Sequence, residues 1–264
     1  MSSGNILDKV KELREITGVG FKDCKNAIDE TKGDIQKSID LLRTKGIAKA
    51  NKRMDRVAAE GIICIHEKDN EFSIVEINSE TDFVAKNNEF INFGEEVSAL
   101  LLTNSGDLEK TLNSKMTSNK NVKDSLVDLI SKIGEKITIR RTSVIKKEKN
   151  INFSYIHTAT KKNVGKLGVI LSLETTKNDE VLFNFGKSLS MHIAASSPLA
   201  IEKEGLNQEI INKENEIIIK DLKNSGKDTK IVEKIAFGKL NKFINENTLL
   251  NQDWIMEPKK KVKD

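Results

Sequence analysis

The chain has 264 residues, 37% hydrophobic and 32% charged, and its 44 Lys+Arg stand against 40 Asp+Glu for a net charge of +4. That balance describes a globular protein of about two domains. It argues against a protein that lives mainly on nucleic-acid phosphates, which carries a larger or more concentrated basic excess. Two cysteines and three histidines exclude a disulfide scaffold and a Cys/His zinc site, and leave little from which to assemble a catalytic triad.

No run of 18 apolar residues occurs, so no membrane helix is expected, and Met1–Asp8 lacks the basic and apolar regions of a signal peptide. Cys24 and Cys64, each among apolar neighbours, read as small buried hydrophobes in a reducing, cytoplasmic compartment. Residues 1–45 read as a three-helix N-terminal module. Ile6, Leu7, Val10, Leu13 and Ile16 recur at helical spacing before the break Thr17-Gly-Val-Gly20. Phe21, Cys24, Ala27 and Ile28 form a second stripe that ends at Lys32-Gly33. Asp34 suits the N-cap of a third helix with Ile35, Ser38, Ile39 and Leu42. Residues 46–57 continue as a basic, solvated linker helix.

At residue 58 the period changes. Ile62–Ile65 and Phe72–Ile77 read as strands joined by the polar turn Glu67–Glu71. Helices follow over 88–102 and about 122–133, then a strand over 136–140. The strand–strand–helix pattern returns as 154–157, 167–173 and 181–196. Phe90-Ile-Asn-Phe-Gly parallels Leu182-Phe-Asn-Phe-Gly at an offset of 92 residues, and Val75-Glu-Ile-Asn-Ser-Glu-Thr81 parallels Val169-Ile-Leu-Ser-Leu-Glu-Thr175 at 94. Two copies of one α+β unit are the economical reading, with a core N-subdomain at 58–148 and a core C-subdomain at 149–202. Residues 203–238 read as a charged helical hairpin interrupted at Asn224-Ser-Gly226. Residues 239–264 form a C-terminal module that ends in the basic Pro258-Lys-Lys-Lys-Val-Lys263, read as a frayed terminus.

The duplication supplies an internal control. Thr175-Thr-Lys-Asn178 in the second copy stands where the first has Thr81-Asp82-Phe83-Val84. Ser79-Glu-Thr-Asp82 fits the spelling of a capping box with Phe83 folded back as a staple, and the pattern alone favours that reading. The other reading is an exposed Phe83 offered to a partner pocket. Glu76, Glu80 and Asp82 read as a solvated strand edge rather than a metal site. No phosphate-cradling or catalytic signature occurs, so neither an enzyme nor a cofactor is expected.

Several ordered blocks carry a resemblance: Thr17-Gly-Val-Gly-Phe-Lys-Asp-Cys-Lys-Asn-Ala27 with Gly33-Asp34, Val75-Glu-Ile-Asn-Ser-Glu-Thr-Asp-Phe-Val-Ala-Lys-Asn87, Ile133-Gly-Glu-Lys-Ile-Thr-Ile-Arg-Arg141, Met191-His-Ile-Ala-Ala-Ser-Ser-Pro198 and Gln252-Asp-Trp254. Nearly the whole chain resembles the bacterial translation elongation factor Ts family. The resemblance implies a ubiquitin-associated-like N-terminal module, a two-part α+β core, a helical-hairpin dimerisation module and a small C-terminal module. It implies a guanine nucleotide exchange factor for elongation factor Tu, with Thr81, Asp82, Phe83 and Val84 reaching the partner near its Mg²⁺ site. Val19, Gly20, Phe21 and Asp23 carry over as contacts of the N-terminal module, with Lys22 a departure at a position that is usually apolar. Met191 and His192 carry over as core contacts, and for His192 the residues alone equally allow a place at the edge of a helix face. An RNA- or ribosome-binding protein acting through the basic linker and tail is the alternative. The Lys45–Arg56 run contains no aromatic residue for base stacking.

Overall fold

The computed structural model describes residues 6–53, 55–223 and 229–264. The protein is α+β. Among the described residues it has ten helices and one five-stranded antiparallel sheet, and it divides into two compact units, residues 1–176 and 177–264.

The first unit begins with α1 (Ile6–Thr17), α2 (Phe21–Glu30) and α3 (Ile35–Arg53). Their expected stripes converge on a small core of Val10, Leu13, Cys24, Ala27, Ile28 and Leu42. Ile6, Leu7 and Ile16 of the first stripe lie outside that core and are exposed, and so is Phe21, which opens α2 on the side away from it. The Asp34 carboxylate accepts the Lys37 N–H at 3.0 Å, capping α3 as its sequence predicts. α3 continues through residue 45 without a break, so the linker is helical as read. It runs on to Arg53, and Ala50 is buried with Leu129 and Ile130 of α7 (Val122–Ile133). Arg43 pairs with Asp124, and Arg53 donates to the Ile130 carbonyl at 2.9 Å. The basic stretch is therefore docked on one side rather than solvated all round, because its sparse apolar positions meet a second helix.

The strands are β1 (Glu60–Lys68), β2 (Glu71–Ser79), β3 (Thr138–Ile145), β4 (Asn150–Lys161) and β5 (Val164–Glu174), in the order β3-β2-β1-β5-β4. β1 and β2 join through Asp69 and Asn70, both left-handed at φ 54° and 64°, the conformation that a tight hairpin requires and that Asp and Asn tolerate. α5 (Asn88–Thr103) covers one face and packs Phe90, Phe93, Val97 and Leu101 against Ile62, Cys64, Val75 and Ile77. The helix comes so close that a Cβ on Gly94 would stand 2.6 Å from the Cys64 Sγ. A buried hydrogen bond from the Ser73 Oγ to the Ser98 carbonyl, 2.6 Å, ties sheet to helix. β5 pairs with β1 only at Ile63–Gly165 and Cys64–Val164. The β4–β5 hairpin then passes over the second face, where Gly168 meets Ile63 and Ile74 and Asn152 is hydrogen-bonded to Asn70. Two short helices, α4 (Asp82–Ala85) and α6 (Leu108–Asn113), complete the unit. Both are too short to show a period in the sequence.

The second unit holds α8 (Glu180–Ser196), then α9 (Gln208–Lys223) and α10 (Thr229–Asn247), whose shared core is Ile218, Leu222, Val232 and Ala236. The interruption read at 224–226 lies outside the described residues. The basic terminus is not frayed. Asp253 bridges antiparallel to Lys261, the Val262 N–H donates to the Gln252 carbonyl, and the Trp254 N–H to the Lys260 carbonyl, so backbone pairing holds what composition alone marked as loose. Asn87 caps α5 and Asp179 caps α8, 92 residues apart, the same offset as the two Phe-Gly segments in the sequence. The boundary between the two compact units falls between the second hairpin and its helix.

Candidate functional site

The segment that leaves β2 is held by a crossed pair of carboxylates. The Thr81 N–H donates to one Glu135 oxygen at 2.9 Å and its hydroxyl to the other at 2.7 Å. In the opposite direction, Glu80 accepts the Lys136 N–H at 2.6 Å and lies 3.3 Å from an Arg56 guanidinium nitrogen. The Lys136 ammonium in turn donates to the Arg56 carbonyl at 2.9 Å. Gly134, left-handed at φ 91°, ends α7 and turns Glu135 and Lys136 toward Thr81 and Glu80. The Lys136 N–H, ahead of the Arg56 charge, holds the Glu80 carboxyl below its ordinary range.

Directly after Thr81, α4 is a single helical turn with two faces. Val84 and Ala85 are buried in the core of the first unit, whereas Phe83 keeps 79% of its surface open. Asp82 is half-buried and pairs with Lys86 at 2.8 Å, which lowers the Asp82 carboxyl and raises the Lys86 ammonium. Lys166, paired with Glu60 at 2.6 Å, adds its charge to the field at Asp82. Phe83 is thus an apolar ring with paired charges beside it, the layout of an interface anchor with a polar rim.

The capping-box reading does not hold. The Ser79 hydroxyl donates to the Thr81 carbonyl, α4 has no side-chain cap, and Asp82 is turned to Lys86. Glu135 has taken the Thr81 hydroxyl and amide, and Val84 and Ala85 occupy the inward positions of the turn, so Phe83 is left outside. Glu76 is not a solvated edge either. Arg140 and Arg141 hold it at 2.8 and 2.5 Å. Burial raises its carboxyl, and the two guanidinium groups together outweigh that and leave it lowered. Among the described residues no group of three or more His, Cys, Asp or Glu could hold a metal ion.

The N-terminal candidates form one edge of the first module. Val19 is half-buried against its core and accepts the Cys24 thiol at its carbonyl, Gly20 stands at the N-cap of α2, Phe21 and Lys22 are exposed, and Asp23 is half-buried. The end of α7 touches both regions. The Lys132 side chain lies against Gly18 and pairs with Glu89 of α5, and three residues on Glu135 holds Thr81.

Met191 and His192 belong to the second unit. Met191 is half-buried and His192 fully buried. The His192 Nδ1 accepts the Ile255 N–H at 3.4 Å, which assigns the proton to Nε2 and makes Nε2 the donor to the Gln252 Oε1 at 3.0 Å. The ring stacks on Trp254 at 5.2 Å, and the Gln252 Nε2 donates to the carbonyls of Ser196 and Glu246. His192 therefore stands inside the joint between α8 and the C-terminal segment, not at the edge of a helix face.

Glu80, Glu135, Lys136 and Arg56 were missed as site residues. The Gly134-Glu-Lys136 turn directly after a helix signals Glu135 and Lys136, and nothing local signals that Glu80 and Arg56 meet them.

Residues 80–264 match the family model described as Elongation factor TS. A relative named Elongation factor Ts in Sinorhizobium fredii (strain NBRC 101917 / NGR234) is 41% identical over 254 residues, covering 96% of this chain and 83% of the relative. Relatives of the same name in Bartonella tribocorum (strain CIP 105476 / IBS 506) and Gluconobacter oxydans (strain 621H) are 42% and 38% identical, covering 95% and 96% of this chain and 82% and 84% of theirs. Fold, segment order and matches define a translation elongation factor. The chain belongs to the elongation factor Ts family.

Proposed function

We propose that this chain is a guanine nucleotide exchange factor for elongation factor Tu, working by binding energy and without covalent chemistry of its own. Phe83 carries the reading: an aromatic ring 79% exposed on a turn whose backbone is fixed from both sides. GDP is held in such GTPases by backbone donors around its phosphates and by Mg²⁺. A ring that wedges between the elements arranging that metal lowers nucleotide affinity, with Asp82 beside it as a polar contact. Thr81 and Val84 fix the turn, while Val19, Gly20, Phe21 and Asp23 add a second contact on the nucleotide domain. In the second unit Met191 supplies surface and His192 holds it. Linkage makes the effect reciprocal, so the nucleotide weakens binding of the exchange factor by the same factor, and GTP ends the complex.

The domain scheme supporting this reading is a ubiquitin-associated-like module at 1–45, a linker at 46–57, core subdomains at 58–148 and 149–202, the hairpin at 203–238 and a C-terminal module at 239–264. The α9–α10 hairpin is the candidate surface for a homodimer. No helix of the described residues is long and apolar enough to cross a membrane, and a cytoplasmic place follows from the proposed role. Calorimetric titration against elongation factor Tu, with and without excess GDP, tests the proposal. Much weaker binding in the presence of GDP is expected, and equal affinity in both titrations contradicts it.

A further inference from the structure

We propose that Glu135 is a positioning residue for exchange, acting through Phe83. The inference rests on the exchange function proposed for the chain. A four-residue helix has no stability of its own, since the first turn of a helix is the costly one to form. α4 has no side-chain cap to help it. Val84 and Ala85, buried in the core, hold its inner side, and the Asp82–Lys86 pair spans it. At its entry the Ser79 hydroxyl donates to the Thr81 carbonyl, and the Glu135 carboxylate takes both the N–H and the hydroxyl of Thr81, the residue immediately before the helix. Glu80 anchors the preceding residue to the Lys136 N–H and to Arg56, but it makes no bond to Thr81. Ser79 holds only the Thr81 carbonyl, whereas Glu135 holds the Thr81 N–H and hydroxyl and so does most to set the entry of the turn bearing Phe83.

The physical consequence is preorganisation. A docking ring that must first be ordered loses part of its binding energy to that ordering, and a ring already held loses less. Glu135 binds Thr81, two residues before Phe83, and need not touch the partner to act. Its effect on exchange should exist only while Phe83 is present, which separates positioning from contact and from general stability.

The test is stimulated release of labelled GDP from elongation factor Tu by the full chain and by Phe83→Ala, Glu135→Ala, Glu135→Gln and the double variant Glu135→Ala/Phe83→Ala, with thermal midpoints measured in parallel. Glu135→Ala should lower kcat/KM about tenfold, the scale of one lost charge-assisted hydrogen bond. Glu135→Gln should restore most of it, because its amide oxygen still accepts the Thr81 N–H while its NH2 donates to the Thr81 hydroxyl. In the Phe83→Ala background the Glu135→Ala change should be under about twofold. Full activity of Glu135→Ala, or an equal loss in both backgrounds, overturns the inference. Should Glu135→Ala fail to fold, Thr81→Val removes only the hydroxyl arm; a loss confined to the chain with Phe83 supports the inference and no loss overturns it. A wild-type chain that does not accelerate release overturns the exchange reading together with this one. Acceleration with additive losses overturns this one alone.

Discussion

Replacing Phe83 with alanine removes a ring that the free protein hardly uses. Its surface is 79% exposed, so the folded state should lose no more than about 0.5 kcal/mol, the ordinary range for surface changes. At an interface the same ring matters far more. Full burial of a phenylalanine side chain contributes about 1.5–3 kcal/mol, and most of that area is still available for burial on docking. The expected loss is about 2 kcal/mol of transition-state stabilisation, or roughly 30-fold in kcat/KM for GDP release, at about 1.4 kcal/mol per factor of ten. Stopped-flow release of a fluorescent GDP from elongation factor Tu reads that value, and thermal unfolding of the variant reads the cost to the fold. Loss of exchange with an unchanged thermal midpoint is expected. Undiminished exchange would refute the reasoning, because it would mean that the most exposed phenylalanine on the chain has no part in the function. A fall in the midpoint matching the fall in rate would refute it equally, by making Phe83 a folding residue.

Gln252→Ala should destabilise the protein by about 3 kcal/mol, because it leaves the buried His192 Nε2 and the carbonyls of Ser196 and Glu246 without their partner. The single tryptophan, Trp254, stacks on His192 and its fluorescence should report the loosening; an unaltered spectrum and midpoint would contradict the joint as described. Gly61→Ala should cost about 3 kcal/mol or more in a urea titration, since Gly61 holds φ 145° and a Cβ there would stand 2.1 Å from the Ile77 carbonyl oxygen. A tolerated alanine would disprove the close approach of β1 to β2. Burial pushes the Cys64 thiol up to about 12 from 9.0, so the unfolded chain releases this proton at a lower pH than the folded one. Above about pH 9 the unfolded state binds fewer protons, and the contribution of this group to stability falls as pH rises toward 12. Wild type should therefore lose stability more steeply than Cys64→Ala across that window, and parallel curves would refute the burial argument.

The long elements were legible because their periods are long enough to read. α5 and α7 followed a 3.6-residue stripe that includes Phe90, Val97 and Leu129, α8 was read from the likeness of Leu182–Gly186 to Phe90–Gly94, and β1, β2 and β5 followed their apolar runs. α4 and α6 have too few residues to repeat anything. The helix past residue 45 was legible but its docking was hidden, because the burial of Ala50 depends on Leu129 and Ile130, far along the chain. Phe83 could be singled out from its polar sibling position, yet its exposure could not be read, because the spelling Ser79-Glu-Thr-Asp82 suits a local cap equally well. What decided it was Glu135, 54 residues from Thr81. The same holds for His192. Its burial is the work of Gln252 and Trp254, which no local window brings together with it.

The central claim is that this chain speeds nucleotide loss from a GTPase through binding alone. Stopped-flow release of labelled GDP from elongation factor Tu, with an excess of unlabelled nucleotide and with or without this protein, tests it most directly. The account predicts release that accelerates with concentration of the chain and then saturates. Release that stays at its intrinsic rate at every concentration would contradict it.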